Sequence, residues 1–285
     1  MGLPVPEGRR VMEPLLAVEN LRVTYPGRPP VEAVRGVTFQ LAKGASLGIV
    51  GESGCGKSSL AKTVIGLQPP SGGTLRYEGA DVAGFSRERR QAYRRSVQMV
   101  FQDAVGSLNP RMTVRQTLEE VLRVHRILPA DAIPKRLAEL LDLVGLPSRV
   151  LNVYPREISG GQCQRVSFAR CLALNPKVII ADEPVSALDV SVQARILNLV
   201  RFLQRELGLS VILISHDLAV VRTICADVAV MHDGEFVETG STVGVLDAPK
   251  HPYTRHLLAA VPDVGRALAA RANKKMDPAP GKEMV

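Results

Sequence analysis

Gly51-Glu52-Ser53-Gly54-Cys55-Gly56-Lys57-Ser58 decides how this chain folds. It fits the pattern G-x-x-x-x-G-K-[ST], and it stands where that pattern has a mechanism. The apolar run 45–50 precedes it and reads as a strand; a helical stretch opens at Lys57 and runs to about Leu67. Gly51, Gly54 and Gly56 let the backbone curl, so that successive N–H groups from Glu52, Ser53 and Cys55 onward point at phosphate oxygens. The helix N-terminus adds the positive end of its dipole. Lys57 is then expected at the terminal phosphates, the Ser58 hydroxyl on Mg²⁺, and Ser59 at the rim of the same nucleotide site. Cys55 lies inside the loop, where N–H groups and a helix N-terminus are expected to lower a thiol's pKa.

Working outward, residues 15–25 and 31–41 read as strands joined by the Pro- and Gly-rich turn 26–30. A basic run, Arg87, Arg89, Arg90, Arg94 and Arg95, reads as a solvated helix face. From Thr113 to Val150 apolar residues recur at helical spacing (Val114, Leu118, Val121, Leu122, then Leu137, Leu140, Leu141, Val144). That stretch reads as a helical insertion, about 86–165, between two halves of an α/β core. The runs 178–181 and 211–214 then alternate with helical patterns, which implies a parallel sheet covered by helices. The division expected is an N-terminal extension at 1–14, one main domain at 15–248, and a helical extension and tail at 249–285.

The strand 178–181 ends in Asp182-Glu183. Adjacent carboxylates at the end of a buried strand are costly to desolvate, so they need a task. Beside a phosphate loop each has one: Asp182 holds Mg²⁺, directly or through water, and Glu183 orients and polarises an attacking water as general base.

Composition narrows the partners. A chain of 285 residues can bury a sizeable core. Aromatics are only 4% and Trp is absent, which argues against a stacking platform for nucleic acid, and none is expected as a partner. No stretch approaches the roughly 18–20 apolar residues of a membrane span. The first residues lack the apolar centre of a signal peptide, so the chain is expected in the cytosol, reaching the membrane only through a partner. Cys55, Cys163, Cys171 and Cys225 match no metal-binding spacing and read as reduced thiols. The net charge of +8 suits anionic partners without choosing among them.

A phosphate loop and an acidic strand end describe many nucleotide hydrolases. Between them stands Ile158-Ser159-Gly160-Gly161-Gln162-Cys163-Gln164-Arg165, which resembles the signature motif of ATP-binding cassette (ABC) ATPases. Physically, a Ser and two glycines at a helix start offer a cap and bare N–H groups to an anion. The resemblance implies a P-loop NTPase fold with a RecA-like parallel core, an antiparallel β subdomain and an inserted helical subdomain. It implies ATP and Mg²⁺ as ligands. It implies that Ser159, Gly160, Gly161 and Gln162 face the γ-phosphate held by a second ATPase subunit. Gln102 looks like the Q-loop glutamine, on Mg²⁺ and the γ-phosphate. Ser186-Ala187-Leu188-Asp189 resembles the D-loop, with Asp189 at the dimer interface. His216 looks like the switch histidine, and Tyr25 like the aromatic that stacks on adenine.

Within the family, Val100-Phe101-Gln102-Asp103, Ser107-Leu108-Asn109-Pro110-Arg111, Ala187-Leu188-Asp189-Val190-Ser191 and His251-Pro252-Tyr253-Thr254 resemble the dipeptide, oligopeptide and nickel importers. That resemblance implies a second, different ATPase chain, two integral membrane permeases and an extracytoplasmic substrate-binding protein. It places this chain peripherally on the cytoplasmic face of the membrane, with peptide as first cargo and nickel or a metal chelate as the alternative. A soluble ABC ATPase without a transport role is the remaining alternative. Many relatives carry a cysteine cluster for an iron–sulfur centre after the His-Pro-Tyr-Thr stretch. No cysteine follows Cys225 here, so no such centre is expected.

Overall fold

The computed structural model describes residues 13–186 and 188–259. Most of the N-terminal extension, the tail from 260 and Ala187 lie outside them.

Two sheets organise the chain. The first is antiparallel, in the order β2-β1-β4-β5, built from β1 (Leu16–Tyr25), β2 (Val31–Leu41), β4 (Gly72–Tyr77) and β5 (Ala80–Asp81). The second has six strands in the order β10-β9-β3-β8-β7-β6. They are β3 (Ser46–Val50), β6 (Val97–Val100), β7 (Val178–Asp182), β8 (Ser210–Ser215), β9 (Asp227–His232) and β10 (Glu235–Ser241). Strands β6, β7, β8, β3 and β9 run parallel, and β10 closes one edge antiparallel to β9.

The parallel strands are apolar on both faces because both faces are covered. Val97, Met99, Val178, Ile180, Ile212 and Ile214 pack with the antiparallel sheet and helix α1 (Lys57–Val64). The alternate residues, Val100, Ile179, Ala181, Val211 and Leu213, pack on the other side. Helices α5 (Gly160–Leu172), α6 (Val190–Leu207) and α7 (Leu218–Ile224) supply that cover, and α3 (Val114–Val124) and α4 (Ile133–Leu143) extend the same apolar cluster by packing on α5. The period of two along each strand thus sorts one sheet between two cores.

Two expectations need correction. Helix α1 ends at Val64, not near Leu67: the Leu67 N–H turns back to the Lys62 carbonyl at 2.8 Å and the Gly66 N–H to Thr63 at 3.0 Å, a tight helix stop. The helical insertion was expected from about 86, yet helix α2 (Arg87–Ser96) leads directly into β6, which is hydrogen-bonded to β7. The chain therefore leaves the sheet only after Val100. Helix α2 is the solvated helix face expected from its basic run; Tyr93 alone is buried there, donating its hydroxyl proton to the Val64 carbonyl. After β10 the short helix α8 (Thr242–Asp247) precedes α9 (Pro252–Ala259).

Candidate nucleotide site

Open parallel sheets place ligands beyond the carboxyl ends of their strands. Register does that here. Val50 pairs with Ser215, Ile214 with Asp182, and Ala181 with Val100. Four strands therefore end in one row, and the phosphate loop, Asp182-Glu183, His216 and Gln102 leave from that row.

The phosphate loop follows β3 without a break. Gly56 caps α1 at φ 108°, and a Cβ there would strike the Ala33 carbonyl and the Met231 side chain, so only Gly fits. Lys57 is 5% exposed. Its ammonium is held over its own loop, donating to the Gly51 carbonyl at 2.8 Å and the Glu52 carbonyl at 2.7 Å. Ser58, Glu52, Ser53 and Gly54 are exposed. The Tyr25 hydroxyl donates to Ser59 Oγ at 3.3 Å, which sets that ring beside the start of α1.

Cys55 departs from expectation. Its thiol is pushed up, not down: burial outweighs the pull of the Lys57 ammonium, whose Nζ lies 3.6 Å from the sulfur. Backbone N–H groups of Lys57 and Cys55 lower it as well, without offsetting the burial.

Asp182 is 5% exposed, and burial, with the Glu183 charge, pushes its carboxyl up while a bond from Ser58 and the charge of Lys57 oppose. Its Oδ1 is buried without a hydrogen-bond partner. A solvent-free carboxylate oxygen beside a Ser hydroxyl fits a hard divalent cation that completes its shell with phosphate and water oxygens.

Glu183 gathers the catalytic candidates. Gln102 Nε2 donates to its Oε2 at 2.9 Å, and His216 Nδ1 lies 3.2 Å from its Oε1. The Glu183 backbone is in the left-handed region, φ 45°, which costs on the order of 1–3 kcal/mol in a non-Gly residue. The Glu183 N–H to Ile214 carbonyl bond, 2.9 Å, and the Ser186 bonds to the Glu183 carbonyl hold it there. The turn aims the carboxylate away from the sheet and into the row of strand ends.

The signature stretch is well formed but lies apart. Ser159 caps α5 by accepting the Gln162 N–H at 3.3 Å, and the Gln162 side chain accepts the Ser159 N–H at 3.0 Å. A Cβ on Gly161 would enter the Val192 side chain of α6, so this glycine permits the close approach of the two helices. Gly160 is exposed. Ser159, Gly161 and Gln162 border a cleft of about 180 Å³ whose other walls include Arg165 and Arg195. Among the described residues no hydrogen bond joins this stretch to the phosphate loop, Glu183 or His216. Asp189 caps α6, accepting from Val192 N–H at 3.0 Å and Ser191 Oγ at 2.8 Å; the Ser191 bond holds its carboxyl low.

One contact the sequence reading did not assign is Tyr253. It belongs to the His251–Thr254 stretch noted above only as a mark of resemblance, and its hydroxyl accepts the Glu52 N–H of the phosphate loop at 3.2 Å, so that this N–H, expected on a phosphate oxygen, is turned to the C-terminal helix instead.

Fold and site together define a nucleoside-triphosphate hydrolase of the P-loop class. Comparison with known proteins narrows this. The family model for ABC transporters matches residues 34–186, and the model for the oligopeptide/dipeptide transporter C-terminal region matches 237–283. The chain is 45% identical over 273 residues to the oligopeptide transport ATP-binding protein OppF of Lactococcus lactis, covering 92% of this chain and 86% of that protein. The structure of cbiO1 from Clostridium perfringens, part of the ABC transporter complex cbiONQ, aligns with a TM-score of 0.74 at 28% identity, covering 90% of this chain and all of that one. A dimeric post-hydrolysis state of the cassette MJ0796 bound to ADP and Pi aligns with a TM-score of 0.72 at 29% identity, covering 80% of this chain and 98% of that chain. This chain belongs to the ABC transporter family, and it is an ATPase of that family. Among its described residues no helix is long and apolar enough to cross a membrane.

Proposed function

We propose that this chain powers an importer for peptides, working from the cytoplasmic face of the membrane beneath two permeases fed by an extracytoplasmic binding protein. The cargo reading is supported by the C-terminal region match and by the OppF relative. A second ATPase subunit, in this reading a different chain, is supported only as a second subunit by the exposed signature cap, which among the described residues makes no hydrogen bond to its own phosphate loop.

The observation that carries the chemistry is the convergence of Gln102 and His216 on Glu183 at the end of β7. ATP lies with its phosphates in the loop 51–58, the adenine against Tyr25 and the triphosphate beside Lys57, Ser58 and Ser59. Asp182 and Ser58 would hold Mg²⁺, which when bound would supply positive charge against the charge that develops on the phosphates. Glu183 accepts the proton of the attacking water as its oxygen bonds to the γ-phosphorus and the bond to the β-phosphate oxygen breaks. Gln102 and His216 position that carboxylate and face the γ-phosphate. Ser159, Gly160, Gly161 and Gln162, with Asp189, meet the nucleotide of the partner subunit, so that closing two cassettes completes each site. The main body, 15–248, with its helical insertion, forms this cassette.

The test is purification of the tagged chain from gently solubilised membranes, followed by identification of what accompanies it and by transport assays. Two permeases, a second ATPase and peptide-stimulated ATP hydrolysis are expected. Stimulation by nickel or a chelate instead would overturn the cargo. Recovery of soluble enzymes or ribosomal proteins alone would overturn transport itself.

A further inference from the structure

Helix α9 is docked on the catalytic sheet by backbone as well as side chains. Glu238 of β10 accepts the Lys250 N–H at 2.8 Å and the His251 N–H at 3.0 Å, fixing the turn that starts the helix. Arg255 then reaches back to the Pro249 and Lys250 carbonyls. The Tyr253 N–H donates to His251 Nδ1 at 3.2 Å. These bonds set the Tyr253 ring flat on His232, with centroids 3.9 Å apart and planes at 27°. His232 ends β9, next to Met231, whose carbonyl closes against Gly51 of the phosphate loop. From that seat the Tyr253 hydroxyl reaches the loop.

The peptide of Glu52 is thereby gripped on both sides. Its N–H is taken by Tyr253 and its carbonyl by the Lys57 ammonium. The Gly234 N–H, from the β9–β10 turn, holds the adjoining Cys55 carbonyl at 3.0 Å. Without Tyr253 the Glu52 N–H has no other bond among the described contacts, and Glu52, Ser53 and Gly54 are exposed.

We propose that Tyr253 is a positioning residue for the phosphate loop, and that through it the seating of the C-terminal helix and nucleotide occupancy are coupled. The coupling is reciprocal: if a seated helix preorganises the loop for ATP, bound ATP must stabilise the seated helix by the same factor. A merely structural tyrosine would carry no such reciprocity. The inference rests on the loop 51–58 taking ATP.

The full-length chain and its Tyr253→Phe variant test it. The phenyl ring keeps the stack on His232 and loses only the hydroxyl. Calorimetric titration with ATP·Mg²⁺ is expected to show affinity about three- to tenfold weaker in the variant, the scale of one lost hydrogen bond. Hydrogen exchange of residues 250–259 in the unsubstituted chain is expected to slow when ATP is added, and this slowing is expected to vanish in Tyr253→Phe. Affinity within twofold of the unsubstituted chain, or exchange of α9 indifferent to ATP in that chain, overturns the coupling. If the variant fails to fold, the exchange comparison in the unsubstituted chain decides alone. Absence of ATP binding by the unsubstituted chain would instead overturn the nucleotide site on which the inference stands.

Discussion

Gln102 and Glu183 meet at 2.9 Å although 81 positions separate them in the chain, the amide of one donating to the carboxylate of the other. They leave the ends of neighbouring parallel strands, β6 and β7, whose register pairs Val100 with Ala181. His216, from the next strand along, closes on the other carboxylate oxygen at 3.2 Å. The carboxylate is thus held at both oxygens while its side chain stays only 14% exposed.

That grip gives the first expectation. Glu183→Gln keeps the size of the side chain and removes its basicity. ATP hydrolysis is expected to fall by roughly 10²–10⁴-fold while nucleotide binding survives. Phosphate release and equilibrium binding, measured on one preparation, check it; unchanged turnover would remove Glu183 from the role of base.

One carboxylate oxygen of Asp182 is left without a partner by the protein alone. Its Oδ1 is buried and unpartnered, and both burial and Glu183 oppose ionisation. Asp182→Asn is therefore expected to raise the melting temperature in the presence of a chelator and to abolish Mg²⁺-dependent hydrolysis. A lower melting temperature in chelator would show that the carboxylate is stabilised by the fold itself.

Ser159 serves both the fold and the site. Replacing it with Ala removes an acceptor for the Gln162 N–H, and loss of such a cap costs about 0.5–2 kcal/mol. The isolated chain should lose that much in urea unfolding. The assembled complex should lose hydrolysis far beyond it, because the same hydroxyl is proposed to meet the partner's nucleotide. Proportionate losses in the two measurements would reduce Ser159 to a helix cap.

The cysteines set an alkaline limit. Burial pushes the thiols of Cys171 and Cys225 up to about 12 from an ordinary 9.0. Between those values the unfolded chain has lost these protons and the folded chain keeps them. The unfolded state thus binds fewer protons, and stability falls as pH rises. Denaturant midpoints taken from pH 8 to pH 11 should decline, and the decline should flatten in a Cys171→Ala, Cys225→Ala variant. Equal slopes in both would assign the loss to other groups. The same burial makes all four cysteines slow to alkylate in the native chain, Cys55 included.

The sequence alone determined what is local. Gly51 to Ser58 reads as a phosphate loop because spacing within one turn fixes which N–H groups, ammonium and hydroxyl can point together. Strands β3, β7 and β8 are legible because a strand buried on both faces must be apolar residue after residue, β1 and β2 because a half-buried strand alternates apolar with polar residues, and Ser159 to Gln162 because a cap and its partner lie three positions apart. Only the tertiary structure decided what depends on register and burial. The row that brings Gln102 and His216 onto Glu183 is set by strand pairing between residues far apart in the chain, 81 positions for Gln102, which no local pattern encodes. Strand β6 and the helix before it were hidden inside the expected insertion, since a charged helix face says nothing about which sheet it precedes. The direction of the Cys55 shift turned on how deeply one thiol is buried, against which the loop's N–H groups count for less. The bond from Glu52 to Tyr253 joins residues 201 positions apart, and it exists only because His232, at the end of another strand, gives the ring its seat.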